Sequence, residues 1–312
     1  MSELVVPAWA WALLAGVMLL LIAIDLFAHR GDRSDSRRLA LIWTVVWIAA
    51  AVVFGAFVAV WFGAAAAEQY FAAYLLEKSL SVDNLFLFVV VFGALDIPVS
   101  EQRRVLTWGI LGALVTRGVF IALGAAILHR WHEVTYVFGA ILVITALKLL
   151  RGGEGRPGRL LIWLERHLPW TRERSGHRFL VRRDGRWLAT PLLVALLAIE
   201  LTDVMFAIDS IPAAFAVSDE PFVIYSSNVF AVLGLRALYL VLVGALADLR
   251  YLKYGLSAVL AFAGSKMLAS PWIQISPIVS VSVIAVVIGI AAGASVWAVR
   301  RDHRRGRMGA SP

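Results

Sequence analysis

Apolar residues fill this chain in long runs, and polar residues collect in the short gaps between them. Nine runs, roughly 8–28, 39–62, 69–93, 105–128, 134–150, 189–216, 222–247, 252–269 and 275–299, are long enough to be spanning helices, since about 20 residues cross the ~30 Å of bilayer hydrocarbon. The expected fold is an all-α polytopic membrane protein with about nine transmembrane helices. No basic stretch precedes the first run, so it is read as a retained helix and not as a signal peptide.

Composition agrees with that reading. Of 312 residues, 61% are hydrophobic and 16% charged, and cysteine is absent. Disulfides, thiolate metal sites and redox thiols are therefore excluded. The net charge of +8 does not indicate nucleic acid, because the arginines sit in short segments between apolar runs. Arg30, Arg33, Arg37 and Arg38, then Arg103 and Arg104, then the connection 151–188, then Arg250 and Lys253, and finally the tail from Arg300 all fall on one side of a nine-span chain. The excess of positive charge on cytoplasmic loops places the N-terminus outside and the C-terminus in the cytoplasm. Heavy use of arginine over lysine suggests a GC-rich bacterial genome, and hence the bacterial cytoplasmic membrane.

The connection 151–188 holds ten arginines against four acids. A short amphipathic helix is expected over 160–168, and a small hairpin over 179–187 with an Asp184-Gly185 turn. Its charge suits anionic headgroups, although a solvated connector accounts for it as well, and no chemistry is assigned to it.

Charges inside the apolar runs carry the functional signal. Glu77 precedes Asp83-Asn84, and Asp203 precedes Asp209-Ser210, with the same spacing between the acids. A charge at the bilayer centre costs at least ~2.5–3.5 kcal/mol, so repeated acids there point to a binding site or pathway. Basic residues follow in the same order: Arg117 and Lys148 after Asp83, Arg236 and Lys266 after Asp209. Two three-helix units result, 69–150 and 189–270, flanked by a two-helix segment 1–68, the basic connection 151–188, and a final helix with basic tail 271–312. Each unit crosses an odd number of times, so the second enters from the opposite side. This is the inverted-repeat arrangement of many secondary transporters, whose sites lie near the midplane.

Helical geometry restricts how these side chains meet. A spacing of seven aligns Glu77 with Asn84, Asp203 with Ser210, and Thr202 with Asp209 as stripes of oxygen donors. A spacing of six puts Glu77 and Asp83 about 120° apart on a straight helix. Both acids can then serve one site only across a local distortion, for which Pro212 supplies a cause in the second unit. Asn228, deep in an apolar run, is expected to hydrogen-bond across helices.

Carboxylates, amide, hydroxyls and carbonyls are hard donors that suit Mn²⁺, Mg²⁺ or Ca²⁺ better than copper or zinc. All six histidines lie at run ends or in connections. Glu77, Asp83, Glu200, Asp203 and Asp209 face Lys78, Arg117, Lys148, Arg236 and Lys266, so the set is formally neutral. A site that sheds protons to load a divalent cation would couple metal exit to proton entry.

The segments Glu77-Lys-Ser-Leu-Ser-Val-Asp83-Asn84-Leu and Glu200-Leu-Thr-Asp203 through Asp209-Ser210-Ile-Pro212-Ala resemble the two hallmark stretches of the TerC family of integral membrane proteins. The run from Ser227-Asn228 to Arg236 and the early Ile24-Asp25-Leu are similar to it too, so the resemblance covers about 10–300. The family carries a tellurium-resistance name, is similar to LysE-type exporters, and has an Alx-like branch associated with manganese export. The resemblance implies that Glu77, Asp83, Asn84, Asp203, Asp209 and Ser210 are metal ligands. It implies that Arg117, Lys148, Arg236 and Lys266 position them and balance charge, with Glu200, Thr202 and Asn228 in support.

The reading is a divalent cation exporter, manganese favoured over calcium or magnesium, and not an enzyme. No permanently bound cofactor is expected; the partners are the lipid bilayer, the ion and protons, and no nucleic acid. Two rivals stand: an intramembrane metal-assisted hydrolase, weakened by the symmetric spread of acids, and a tellurite-resistance scaffold whose charges are structural ion pairs. Asp25 is expected as an interfacial anchor, and Trp61, Trp108, Trp131, Trp272 and Trp297 as interface belts.

Overall fold

A computed structural model describes residues 6–28, 37–131, 133–151, 157–173, 176, 178–183, 185–242, 251–273 and 275–308. Side chains at 27, 28, 37, 82–84, 86, 87, 157–160, 209, 242, 252, 253, 277, 296 and 299–308 lie outside that description. Eleven helices and one hairpin are present: α1 (Ala8–Ala28), α2 (Arg37–Phe62), α3 (Ala64–Ala94), α4 (Val99–Arg130), α5 (Val134–Leu150), α6 (Pro157–His167), β1 (Leu180–Arg183), β2 (Arg186–Ala189), α7 (Pro191–Phe215), α8 (Pro221–Leu233), α9 (Leu235–Leu242), α10 (Leu252–Ala269) and α11 (Pro277–Met308).

Among the described residues, six stretches are long and apolar enough to cross a membrane: α1, α2, α4, most of α7, α8 with α9, and the apolar part of α11. Helices α5 and α10 are apolar but shorter, and the 31-residue α3 carries Glu77, Lys78 and Asp83 in its middle. Large apolar side chains face outward along the outer helices: Val60 on α2 is 81% exposed and Ile290 on α11 is 67% exposed. In water this would forfeit burial worth ~1.5–3 kcal/mol for each such side chain, whereas in lipid it costs nothing. Trp61, Trp108, Trp131, Trp272 and Trp297 are exposed as well.

The interior is built around α3, which packs against α2, α7, α8 and α11, while α4 packs on α7 and α8, and α5 on α10. Helices α5 and α10 meet at glycines, where a Cβ on Gly264 would lie 2.7 Å from the carbonyl oxygen of Gly139. Aromatic rings fill the layer between α2, α3 and α8, with Phe54 and Phe230 at 4.7 Å between ring centroids. Tyr70 donates to the Ala51 carbonyl at 3.1 Å.

The local distortion expected at Pro212 is corrected. Helix α7 continues through Pro212 to Phe215, and α3 is helical throughout, so neither acid pair sits on an unwound segment. Pro212 cannot donate to the Ile208 carbonyl, yet the helix runs on to Phe215 and the Pro212 carbonyl accepts from Ala216 at 2.9 Å. The break lies instead in the run 222–247, at Gly234 between α8 and α9.

The connection after α5 holds α6 and the hairpin, which pairs Leu180 with Ala189 through Arg183 with Arg186. Gly185 takes a φ of 78°, open to glycine without a Cβ penalty. Leu161 and Leu164 of α6 are buried in the core that α3, α4 and α7 share.

Candidate ion site

Glu77, Arg117 and Asp203 come from three helices, α3, α4 and α7, that would not place their charges together unless packed. Arg117 is 1% exposed and Glu77 2%. The guanidinium donates from Nη2 to Asp203 Oδ1 at 2.8 Å and from Nε to Asp203 Oδ2 at 3.3 Å, a two-pronged grip. Its Nη1 donates to Glu77 Oε1. Planar geometry lets one arginine serve two carboxylates in this way, which a lysine could not do.

Glu200 lies one turn before Asp203, on the same face of α7. Its carboxylate rests on the backbone of α4, where a Cβ on Gly112 would stand 2.1 Å from Glu200 Oε1. Glu200 thus packs in the α4–α7 contact, and the described ion pairs are those of Arg117 with Glu77 and Asp203. Several buried oxygens in this interior have no hydrogen-bond partner among the described residues: Glu77 Oε2, Glu200 Oε1, Ser210 Oγ and Asn228 Oδ1. A buried unpaired polar group costs ~1–3 kcal/mol. Such hard oxygens fit a divalent cation of the manganese, magnesium or calcium type. No three Asp, Glu or His side chains among the described residues stand close enough to hold a metal ion.

Helix α3 also brings Lys78 to the break in the neighbouring helix. Its ammonium donates to the Ala231 carbonyl at 3.1 Å, one turn before the α8–α9 junction. A Cβ on Gly234 would lie 2.9 Å from Lys78 Nζ and 3.1 Å from Trp47 Cβ, so the junction has room for little more than glycine.

The family profile described as "Integral membrane protein TerC family" matches residues 61–304, which take in every helix named in this site. This chain belongs to the TerC family. It is 46% identical over 291 residues to the "Uncharacterized membrane protein STKORF319" of Myxococcus xanthus, covering 92% of this chain and 91% of that one. It is 37% identical over 313 residues to the "Putative membrane-bound redox modulator Alx" of Escherichia coli (strain K12), covering 95% and 97% of the two chains. To the "Thylakoid membrane protein TERC, chloroplastic" of Arabidopsis thaliana it is 41% identical over 225 residues, 71% of this chain and 59% of that one. No solved structure matches it.

Among the ligand positions expected for this TerC chain, Glu77 and Asp203 are brought together on Arg117, and Ser210 is buried with a free hydroxyl. The side chains of Asp83, Asn84 and Asp209 lie outside the described residues. Thr202 back-bonds to the Ala198 carbonyl of its own helix at 2.7 Å, so its proton is already committed.

Of the four basic residues expected to balance the acids, Arg117 meets Glu77 and Asp203, and the other three have the following places among the described residues. Arg236, at the start of α9, reaches α1 and donates to Asp25 Oδ2 at 3.2 Å. Asp25 is thus a buried ion-pair partner. Lys266 donates to Ser280 Oγ on α11 at 3.1 Å. Lys148 is exposed near the end of α5. Sequence order aligned these residues by analogy, but the azimuth of each on its helix sends it to a different neighbour. The bond from Lys78 was not foreseen; its signal is a cation beside Glu77 in a run that faces a second helix interrupted by glycine.

Proposed function

We propose that this TerC-family protein exports a divalent cation, manganese in preference to calcium or magnesium, from the cytoplasm across the bacterial inner membrane. The observation that carries the reading is the buried pairing of Glu77 on α3 and Asp203 on α7 with Arg117 on α4, in an interior where Glu77, Glu200, Ser210 and Asn228 each keep a side-chain oxygen without a partner among the described residues. A purely structural ion pair would use up Glu77 and Asp203 but gives no reason for Glu200 on a glycine platform or for the unpartnered Asn228 and Ser210 oxygens.

In this reading Arg117 is a tethered cation that occupies the acids when no ion does. Metal loading draws Glu77 and Asp203 off the guanidinium, and proton entry from outside restores the empty state. Asp83, Asn84 and Asp209 complete the ligand set.

The chain crosses nine times, with the N-terminus outside. Helices α3, α4 and α5 form one unit, and α7, α8 with α9, and α10 form its inverted counterpart. Reciprocal packing supports this: α3 lies on α8 as α4 lies on α7, α3 on α7, α4 on α8, and α5 on α10 at facing glycines. An axis relating the two units would run through these pairs, at the depth where alternating-access sites are found.

Some relatives are described as redox modulators. This chain has no cysteine, so an effect on redox state through it would come from the metal it moves and not from a thiol.

The test is flux. Purified protein in sealed vesicles should carry Mn²⁺ down an imposed gradient with opposite movement of protons. Asp83→Asn and Asp209→Asn should each lower the rate by about tenfold or more with helicity unchanged. Flux no greater than in empty vesicles would remove the exporter reading, and flux unaffected by either substitution would remove the site.

A further inference from the structure

The hairpin β1–β2 is not used by the transport reading, and its chemistry is unusual for a water-facing ribbon. Arg182 pairs with Trp187 across the ladder, and Leu180 lies two residues along on the same face. Trp187 is 62% exposed and Leu180 48%. One rung further, Arg183 stands directly opposite Arg186, a like-charge pairing that costs stability. Arg183 is held by Glu173 at 2.7 Å, whereas Arg182 and Arg186 are exposed and have no acidic partner among the described residues.

The hairpin is also fixed in place. Ala189 donates to the Pro169 carbonyl at 2.8 Å, Thr190 donates to the Phe179 carbonyl at 3.0 Å, and the Thr190 hydroxyl donates to the Arg178 carbonyl at 2.7 Å. Helix α7 begins at Pro191, immediately after this knot. Trp187 is four residues earlier, so it lies within about 13 Å of the start of a spanning helix. The headgroup layer on each side of the hydrocarbon is roughly 5–8 Å deep. A ribbon this close to the helix start lets an indole and an arginine be brought to the headgroup layer.

We propose that β1–β2 is a surface anchor for anionic phospholipid headgroups of the surrounding bilayer. Trp187 and Leu180 enter the headgroup layer, and Arg182 on the same face binds lipid phosphate. Charge complementarity selects this occupant: an apolar protein partner would leave Arg182, which has no acidic partner among the described residues, uncompensated, whereas phosphate pairs with it. The anchor is independent of what the protein transports.

Because the chain has no cysteine, Leu180→Cys on the full-length protein accepts a single environment-sensitive fluorophore. The labelled protein is reconstituted in vesicles of phosphatidylcholine alone or of phosphatidylcholine with phosphatidylglycerol. The label should shift to the blue and become quenchable from the headgroup region in the anionic vesicles, and high salt should reverse the shift. Arg182→Gln should lower the ratio of shielded to exposed label about fivefold. A label at Arg178, outside the strand, gives the same readout if the Leu180 site disturbs pairing. The proposal is overturned if the label stays in water in both vesicles, if the shift is equal in both, or if it follows protein density, which would indicate a second copy as the partner. None of these readouts depends on metal flux, so either reading can fail alone.

Discussion

Lys78 on α3 donates to the main-chain carbonyl of Ala231 on α8 at 3.1 Å. The bond ties the helix that carries Glu77 to the one broken spanning segment among the described residues, beside the break at Gly234. A hydrogen bond from a charged group contributes about 1.5–3 kcal/mol, and lipid offers no water to replace it. Lys78→Met keeps the chain length and removes the donor. It is expected to lower stability by about 1–3 kcal/mol, seen as a lower melting temperature in detergent. Gly234→Ala should cost less, since Lys78 Nζ can move aside although Trp47 Cβ cannot. A Lys78→Met protein as stable as wild type would show that the bond carries nothing.

Arg117 makes every described salt bridge in the acid cluster. Removing one partner of a buried ion pair leaves an uncompensated charge and costs about 3–5 kcal/mol. Arg117→Gln should therefore be strongly destabilised. Adding Glu77→Gln and Asp203→Asn should recover most of the loss, because no buried charge is then stranded. Arg117→Lys should fall between, since an ammonium cannot hold both carboxylates with the geometry of a guanidinium. Denaturation of the four proteins in one detergent checks the order.

Glu200 and Gly112 are sterically coupled. A Cβ at Gly112 would stand 2.1–2.4 Å from the Glu200 carboxylate atoms, so Gly112→Ala must push that side chain off α4. The single variant should lose stability by about 1–3 kcal/mol, as overpacking does. Gly112→Ala with Glu200→Ala should regain much of it, a coupling measurable in a double-mutant cycle. Transport by either Glu200 variant should be reduced, because neither keeps the carboxylate in place.

The crossing of α5 and α10 depends on two glycines. At Gly264 a Cβ would meet the Gly139 carbonyl at 2.7 Å and Leu142 Cβ at 2.9 Å, both rigid. Gly264→Ala should force the helices apart and lower the melting temperature. If α5 and α10 are equivalent members of two units, Gly139→Ala should do the same to a similar degree. Its Cβ would meet Leu268 Cγ at 2.9 Å and the Gly264 carbonyl at 3.0 Å.

The membrane class, the helical segments, the hairpin turn and the acids in their apolar setting were all legible in the chain. Each is a local property: run length, a charge in hydrocarbon, an Asp-Gly pair between strand-forming residues. The break at Gly234 was less so, because Pro212 is the more conspicuous helix breaker. Helix α7 carries Pro212 without interruption, whereas Gly234 lies against Trp47 and Lys78 and marks a close approach that no local pattern reveals.

Partner choice was the least legible. Order along the chain grouped Arg117, Lys148, Arg236 and Lys266 as equivalents, yet they end on Glu77 with Asp203, at an exposed site, on Asp25 and on Ser280. Hydropathy and charge are carried by each residue, so the chain alone established that this is a helical membrane protein with ionisable groups at membrane depth. Which carboxylate an arginine meets depends on helix azimuth, crossing and depth. Those come from packing every helix against its neighbours at once, and packing drew Arg117 to Glu77 and Asp203 while sending Arg236 to Asp25.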